Sequence, residues 1–255
     1  MKMSLIKVSI CVASVVYLAA TSVSKAADAA LPALMAPPVK TYSTVLFSGV
    51  DARERSYYGY AGVIQALNGN IATDGFLVRV FGLYNVYDYT SAAVVGGTVD
   101  GRMTAFDVML GYQKNFQNFT ARLYAGLDYE SHSLSPDNPF DSNRGTHLGA
   151  KIRGELETLY NSPFYGSLLA SYGSATERYW SRARVGYNFQ GVILGPEGVL
   201  TGNRLTDEQR IGVFATFRNP SLAPVELSIS VGYSNTNEIR GGASAYGTLE
   251  ISAAF

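Results

Sequence analysis

The stretch FTARLYAGLDYESHSLSPDNPFDSNRGTHLGAKIRGEL, residues 119–156, decides the fold. In its first part Phe119, Ala121, Leu123, Ala125, Leu127 and Tyr129 alternate with Thr120, Arg122, Tyr124, Gly126, Asp128 and Glu130. In its last part, carried on to Glu157, Leu148, Ala150, Ile152, Gly154 and Leu156 alternate with Gly149, Lys151, Arg153, Glu155 and Glu157. A period of two puts each set on its own face of a sheet. One face is wholly apolar; the other gathers Arg, Lys, Asp and Glu.

A soluble sheet also buries one face and wets the other, so alternation alone does not name the solvent. Length and repetition do. These runs exceed the five or six residues usual for strands of globular domains. They match the roughly 9–11 residues that a tilted strand needs to cross a bilayer. The reading is an all-β, transmembrane, up-and-down antiparallel barrel with a polar interior.

Composition agrees with this reading. The 255 residues carry no net formal charge and only 16% charged side chains, so nucleic acid is not an expected partner. Twenty-six Gly and 18 Tyr suit Gly-rich strands and interfacial aromatic girdles. Lys2 and Lys7 precede an apolar run, Val8 to Ala20, too short to span as a helix and followed by small residues. Residues 1–26 therefore read as a secretory signal peptide, 27–41 as a periplasmic lead-in and 42–255 as the barrel. The single cysteine, Cys11, falls inside that signal, which leaves the mature chain without disulfides or Cys-ligated metal. A lipoprotein reading of Cys11 fits poorly, because Val12 follows it.

Strand patterns run at 42–51, 56–67, 75–89, 102–116, 119–132 and 146–159, then 164–173, 177–189, 191–201, 208–218, 225–235 and 245–255. That makes about twelve, an even number as bacterial single-chain barrels use; ten or fourteen also fit. The run 191–201 is the weakest, since Gly195-Pro196 interrupts it. Connections alternate in length. Asn68-Gly69-Asn70, Gln117-Asn118, Asn161-Ser162-Pro163 and Gln190-Gly191 are tight, whereas 90–101, 133–145, 202–207 and 236–242 are longer and polar. Short periplasmic turns and longer outer loops are expected of such barrels. Two connections, 51–56 and 219–224, break the parity. The chain closes on an amphipathic strand ending in Phe255, which resembles the signal read by the barrel-assembly machinery. A sandwich whose last strand ends in Phe is the alternative.

Several motifs in order resemble the BcsS family of cellulose-biosynthesis proteins. They are Gly59-Tyr60-Ala61-Gly62, Ala66-Leu67-Asn68, the run Asp74 to Val80, Gly111-Tyr112-Gln113 and the run Gly126 to His132. Leu134-Ser135-Pro136, Gly195-Pro196-Glu197 and Arg210-Ile211-Gly212 continue the series. The resemblance implies a non-catalytic accessory of bacterial cellulose production in the outer membrane of Gram-negative bacteria. It implies contact with outer-membrane lipid, the barrel-assembly machinery, and cellulose synthase or export components or glucan chains. No catalytic residue transfers with it, and no cofactor is implied. The segment before the barrel is too short for the helical-repeat domain of the large exporters.

With the apolar face outward, Arg79, Asp107, Arg122, Asp128, Glu130, Lys151, Arg153, Glu155 and Glu157 point inward. Arg178, Arg182, Arg184, Arg210, Arg218, Glu226 and Glu250 join them. On the lipid face each midplane Arg or Lys would cost up to ~2–4 kcal/mol, which settles the orientation. Such charges either neutralise one another as lumen filling or line a path for a polar solute, glucan or ion. Inward rings, Phe81, Tyr87, Tyr124, Tyr165, Trp180 and Phe214, either fill a small lumen or stack on sugars. Residues 178, 180, 182 and 184 form one row (Arg, Trp, Arg, Arg), with Glu155 and Glu157 as opposite charges elsewhere on the wall.

Three functional classes follow: an accessory of polysaccharide export, a small-solute channel, and a lipid-modifying hydrolase. The last would use His132 as base for Ser131, Ser133 or Ser135. No nucleophile elbow is present, and the expectation is that the protein is not an enzyme. A metal site on His132, His147 and Glu130 or Asp128 is a rarer alternative still, and Asp137, Asn138 and Asp141 lack the ordered ligand spacing of a calcium loop.

Overall fold

A computed structural model describes residues 41–159, 162–218, 224–236 and 242–255. The signal-peptide segment and all of the lead-in except Thr41 lie outside the described residues. The twelve strands are β1 (Thr44–Arg53), β2 (Ser56–Ala66), β3 (Gly75–Thr90), β4 (Thr98–Asn115), β5 (Phe119–Ser135) and β6 (Gly145–Thr158). They continue as β7 (Phe164–Gly173), β8 (Arg178–Phe189), β9 (Val192–Gly202), β10 (Asp207–Arg218), β11 (Val225–Thr236) and β12 (Ala243–Ala254). Each pairs antiparallel with its neighbours in sequence, and β1 pairs with β12 to close the barrel. Closure leaves no unpaired edge, which a spanning sheet requires because acyl chains offer no hydrogen bonds. Phe255 seals the seam: its N–H donates to the Thr44 carbonyl at 2.8 Å, and its carbonyl accepts from Ser43 and Thr44 at 2.7 and 3.0 Å.

The alternating pattern sorts as the orientation argument requires. Leu123, Leu127, Leu148, Ile152, Val185 and Ile211 are exposed on the outer wall, while Arg79, Asp107, Asp128, Glu130 and Arg184 are buried inside. Two aromatic girdles bound the apolar belt. At the end holding the start of β1, the near end, stand Phe76–Tyr112, Phe116–Phe119, Phe164–Tyr187 and Tyr187–Phe189, with ring centroids 4.6–5.6 Å apart. Tyr57, Tyr84, Phe106, Tyr129, Tyr172 and Tyr233 are exposed toward the far end. Along β5, Phe119 and Tyr129 are separated by about 25 Å of barrel axis at ordinary rise and tilt, the height of a bilayer's apolar band.

The strands differ in height. β3, β4 and β5 have 16, 18 and 17 residues, against 10 for β1 and β7. One wall therefore stands tall at the far end. The weak strand β9 is present: Pro196, lacking an N–H, sits in a short gap of the β8–β9 ladder between Arg184↔Glu197 and Tyr187↔Leu194.

Two connections fold inward, and the first departs from the sequence expectation. The β2–β3 connection spans 67–74 rather than a tight Asn-Gly-Asn turn, and Gln113 inside the barrel donates to the carbonyls of Ile71 and Thr73 at 2.8 and 3.0 Å. Ile71 then packs on Ala66, Leu77, Met109 and Tyr124. This apolar plug replaces polar lining at the near end, because Leu77 and Met109 fall on the inward parity. At the far end, the β7–β8 turn (174–177) tucks in over β5 and β6, where Thr176 donates to Glu130 at 2.7 Å. Gly149 makes room for it: a Cβ there would lie 2.4 Å from the Ala175 nitrogen.

Candidate functional site in the barrel lumen

Inward parity on twelve strands brings the charges of the sequence into one interior. Among the described residues, the bases in ion pairs there are Arg53, Arg79, Arg122, Lys151, Arg153, Arg178, Arg182, Arg184, Arg210 and Arg218. The acids are Asp51, Asp107, Asp128, Glu130, Glu155, Glu157, Glu197, Glu208, Glu226 and Glu250. Ten meet ten; Arg55 and Asp88 make a further pair on the same cavity, and the carboxylates of Asp141 and Asp207 also line it. A low-dielectric interior tolerates ionised groups only when each finds a partner and its remaining lone pairs are bonded.

The pairs form clusters by strand. Between β3 and β6, Arg79 meets Asp107 at 2.5 Å, and Lys151 bridges Asp107 and Asp128 at 2.9 and 3.1 Å. Asp107 and Asp128 face each other in register, so two carboxylates lie side by side and need both cations. The Arg79 guanidinium lies over Phe81 and Phe47, 4.7 and 5.5 Å from the centroids. Toward the near end, Arg153 meets Glu155 at 2.6 Å, Arg122 meets Glu155 and Glu157 at 3.5 and 3.7 Å, and Arg218 meets Glu157 at 2.8 Å.

A second set spans the lumen. Arg182 and Arg184 on β8 reach Glu250 on β12 at 2.7 and 2.9 Å, although three strands separate them in the sheet. Tyr60 of β2 donates to the same carboxylate at 2.5 Å. Arg184 also holds Glu197, which accepts from Tyr246 and Ser230 at 3.0 and 3.1 Å. Arg210 joins Asp51 and Glu208, each at 2.7 Å. Thus the Arg row of β8 is partnered by Glu130, Glu250 and Glu197, and not by Glu155 or Glu157, which serve Arg122, Arg153 and Arg218. Barrel curvature chooses these partners; strand order does not reveal them.

At the far end, Arg178 meets Glu130 at 2.7 Å. His132 sits between Glu130 and Tyr87, with its two ring nitrogens 3.4 and 3.2 Å from their oxygens. Ser131 faces the opposite side of β5, bonded to Thr146 at 3.2 Å, and Ser133 and Ser135 share its parity. The Ser–His pair is therefore not assembled. His147 contacts the carbonyls of Asn143 and Arg144, both at 3.1 Å. Asp137 pairs with Arg144 at 2.7 Å and Asp141 accepts from Tyr89 at 2.7 Å, so these loop side chains serve the loop itself. Among the described residues no cluster of His, Cys, Asp or Glu has the arrangement of a metal site.

What remains between the chords is a cavity of about 690 Å³, lined from Tyr89 and Asn143 at the far end to Glu226 and Ser252 at the near end. Sequence reasoning missed Asp51, Arg53, Glu197 and Glu208 and the inward rings Phe47, Tyr58, Tyr60 and Tyr246, all of which line it. Asp51, Arg53 and Glu208 sit at strand ends, and Glu197 follows the Pro that blurs β9. The signal was present in β1, where Phe47 and Asp51 share one parity.

The model of the cellulose biosynthesis protein BcsS family matches residues 45–255. The chain belongs to that family. No curated protein sequence matches this BcsS-family chain. Among solved structures, an outer membrane channel from Pseudomonas putida F1 is similar, with a TM-score of 0.50 at 13% identity over 89% of this chain and 100% of that one. LpxR from Salmonella typhimurium gives 0.49 at 12% identity over 84% and 100%, and the KdgM porin 0.44 at 10% over 83% and 99%. At such identities the likeness is one of outer-membrane barrel fold, and says nothing of substrate.

Proposed function

We propose that this BcsS-family barrel is a non-catalytic accessory of cellulose biosynthesis, seated in the bacterial outer membrane, which meets the glucan or its export components through its lumen and far-end loops. The observation that carries this is the paired interior: among the described residues every base lining the cavity meets an acid, and rings remain among them. Such a wall offers polar groups and apolar faces to an uncharged chain without selecting an ion. In this setting the near end is periplasmic, the far end is outside, acyl chains meet the belt between the girdles, and Phe255 is what the barrel-assembly machinery reads. Family membership supports the pathway, and the outward serines, unpaired with His132, support an accessory over a hydrolase.

The test is complementation of a strain lacking this chain, with variants at equal outer-membrane levels and cellulose output measured. Arg184→Ala should lower output, whereas Val185→Leu on the lipid face should not. Full output from Arg184→Ala and Arg182→Ala alike would reject a role for the lumen. An activity of the purified barrel on lipid, lost in His132→Ala, would reject the non-catalytic reading.

A further inference from the structure

The far half of the lumen has a composition unlike the rest. Tyr87 and Tyr89, two apart on β3 and so on one face, stack at 6.3 Å with planes 20° apart. Trp180 faces the same cavity from β8, and one side of its ring is covered by the Arg182 guanidinium at 5.2 Å. All three rings are partly open to the cavity. They are held from behind. Tyr87 contacts His132, His132 contacts Glu130, and Glu130 is clamped by Arg178, the residue two before Trp180 on the same face. Tyr89 is fixed by Asp141 at 2.7 Å and by Asn138 at 3.1 Å, both from the β5–β6 loop (136–144).

One group in that loop has no use inside the protein. Asn143 lines the cavity and is only 5% exposed, yet its side-chain oxygen Oδ1 has no hydrogen-bond partner. A buried acceptor left unmade costs free energy, so it marks a place where something polar is to bind. Asn85, Asn203 and Thr201 also line the cavity, from the far parts of β3 and β9 and the β9–β10 connection. Of the charges around it, Arg178 and Glu130 pair with each other, and the Asp141 carboxylate is held by Tyr89 and by the Asn143 N–H.

Rings with open faces, amides and hydroxyls beside them, and no uncommitted cation among the described residues that line the cavity suit a neutral sugar chain. Its axial C–H faces stack on rings and its hydroxyls supply donors to lone acceptors. An anionic oligosaccharide would need free cations, and here the guanidiniums are committed. The lumen cavity as a whole, about 690 Å³, is of ligand-pocket size, and the vestibule is its far part, above the Arg182–Glu250–Arg184 chord with Tyr60. We infer that the far vestibule, built on Tyr87, Tyr89, Trp180 and Asn143, is a binding site that holds a short stretch of neutral, extended glucan, and that the barrel grips such a chain and does not conduct it. This rests on the reading that the barrel serves cellulose biosynthesis, and it adds the place and the class of ligand.

Trp180 is the only tryptophan in the sequence, so the site carries its own reporter. The purified folded barrel in detergent micelles is titrated with cellohexaose, with maltohexaose and oligogalacturonate as comparisons. Cellohexaose should change Trp180 emission saturably and shield it from acrylamide; oligogalacturonate should do neither, and maltohexaose should bind at least tenfold more weakly. Tyr89→Ala and Asn143→Ala should weaken cellohexaose about tenfold, while Tyr89→Phe, which keeps the ring, should lose less. Flat emission with cellohexaose in heat-modifiable wild-type protein would overturn the site, as would equal responses to all three sugars. If cellohexaose fails to bind while Arg184→Ala still lowers cellulose output, the vestibule falls and the accessory role stands. If it binds while no lumen variant alters output, the vestibule stands and the accessory role falls.

Discussion

Replacing Arg184 by Ala is the sharpest probe of how the lumen is built. The side chain is 5% exposed and meets Glu197, 2% exposed, as well as Glu250. It donates to Ser228 and Ser230 at 3.3 and 2.9 Å and lies over Phe214 at 5.0 Å. Breaking a buried pair by removing one partner costs about 3–5 kcal/mol, because the other charge stays behind. Glu197 would keep Tyr246 and Ser230, and Glu250 would keep Arg182 and Tyr60. That places the loss near the lower bound, about 3 kcal/mol. Arg182 shares its single carboxylate with Arg184, and both its side chain and that of Glu250 are 18% exposed, so Arg182→Ala should cost about 1 kcal/mol. The assay is equilibrium guanidinium unfolding of the barrel in micelles, followed by Trp180 emission. A double-mutant cycle with Glu197→Ala should return a coupling of at least about 2 kcal/mol. Equal losses for the two arginines, both below about 1 kcal/mol with no coupling, would mean that water screens the chord, and the dry ion-pair argument would be refuted.

Three other outcomes follow from the geometry. Gly149→Val must displace the turn at 174–177, since a Cβ would lie 2.4 Å from the Ala175 nitrogen; a loss of about 1–3 kcal/mol in the same unfolding assay is expected. In planar bilayers the wild-type barrel should show little or no steady conductance, and Arg182→Ala with Arg184→Ala together should raise it several-fold by removing the chord; an open wild-type channel would contradict the crossing. At the near end the Lys114 ammonium and the Asn115 N–H beside Asp74 hold its carboxyl below the usual carboxylate range. The stability this gives is complete above the unfolded value and fades as pH falls through the lowered one. Asp74→Asn should therefore flatten the acid side of a stability–pH curve.

The sequence by itself determined the barrel. Period-two alternation over runs of ten or more residues indicated about twelve strands, with ten or fourteen also fitting, and the inward place of Arg79, Asp128, Glu130 and Arg184, because neighbouring side chains on a strand cannot share a face. It also carried the motifs that resemble the family. Tertiary structure alone decided who meets whom. Glu250 lies 68 residues from Arg182 and three intervening strands away, and only the curvature of a closed sheet puts it across the lumen. The inward folding of 67–74 and 174–177 was likewise hidden, since a turn sequence states its tightness and not its direction. Parity is a local property of the chain and can be read residue by residue. Partnership inside a barrel depends on strand tilt, stagger and closure, which belong to all twelve strands at once.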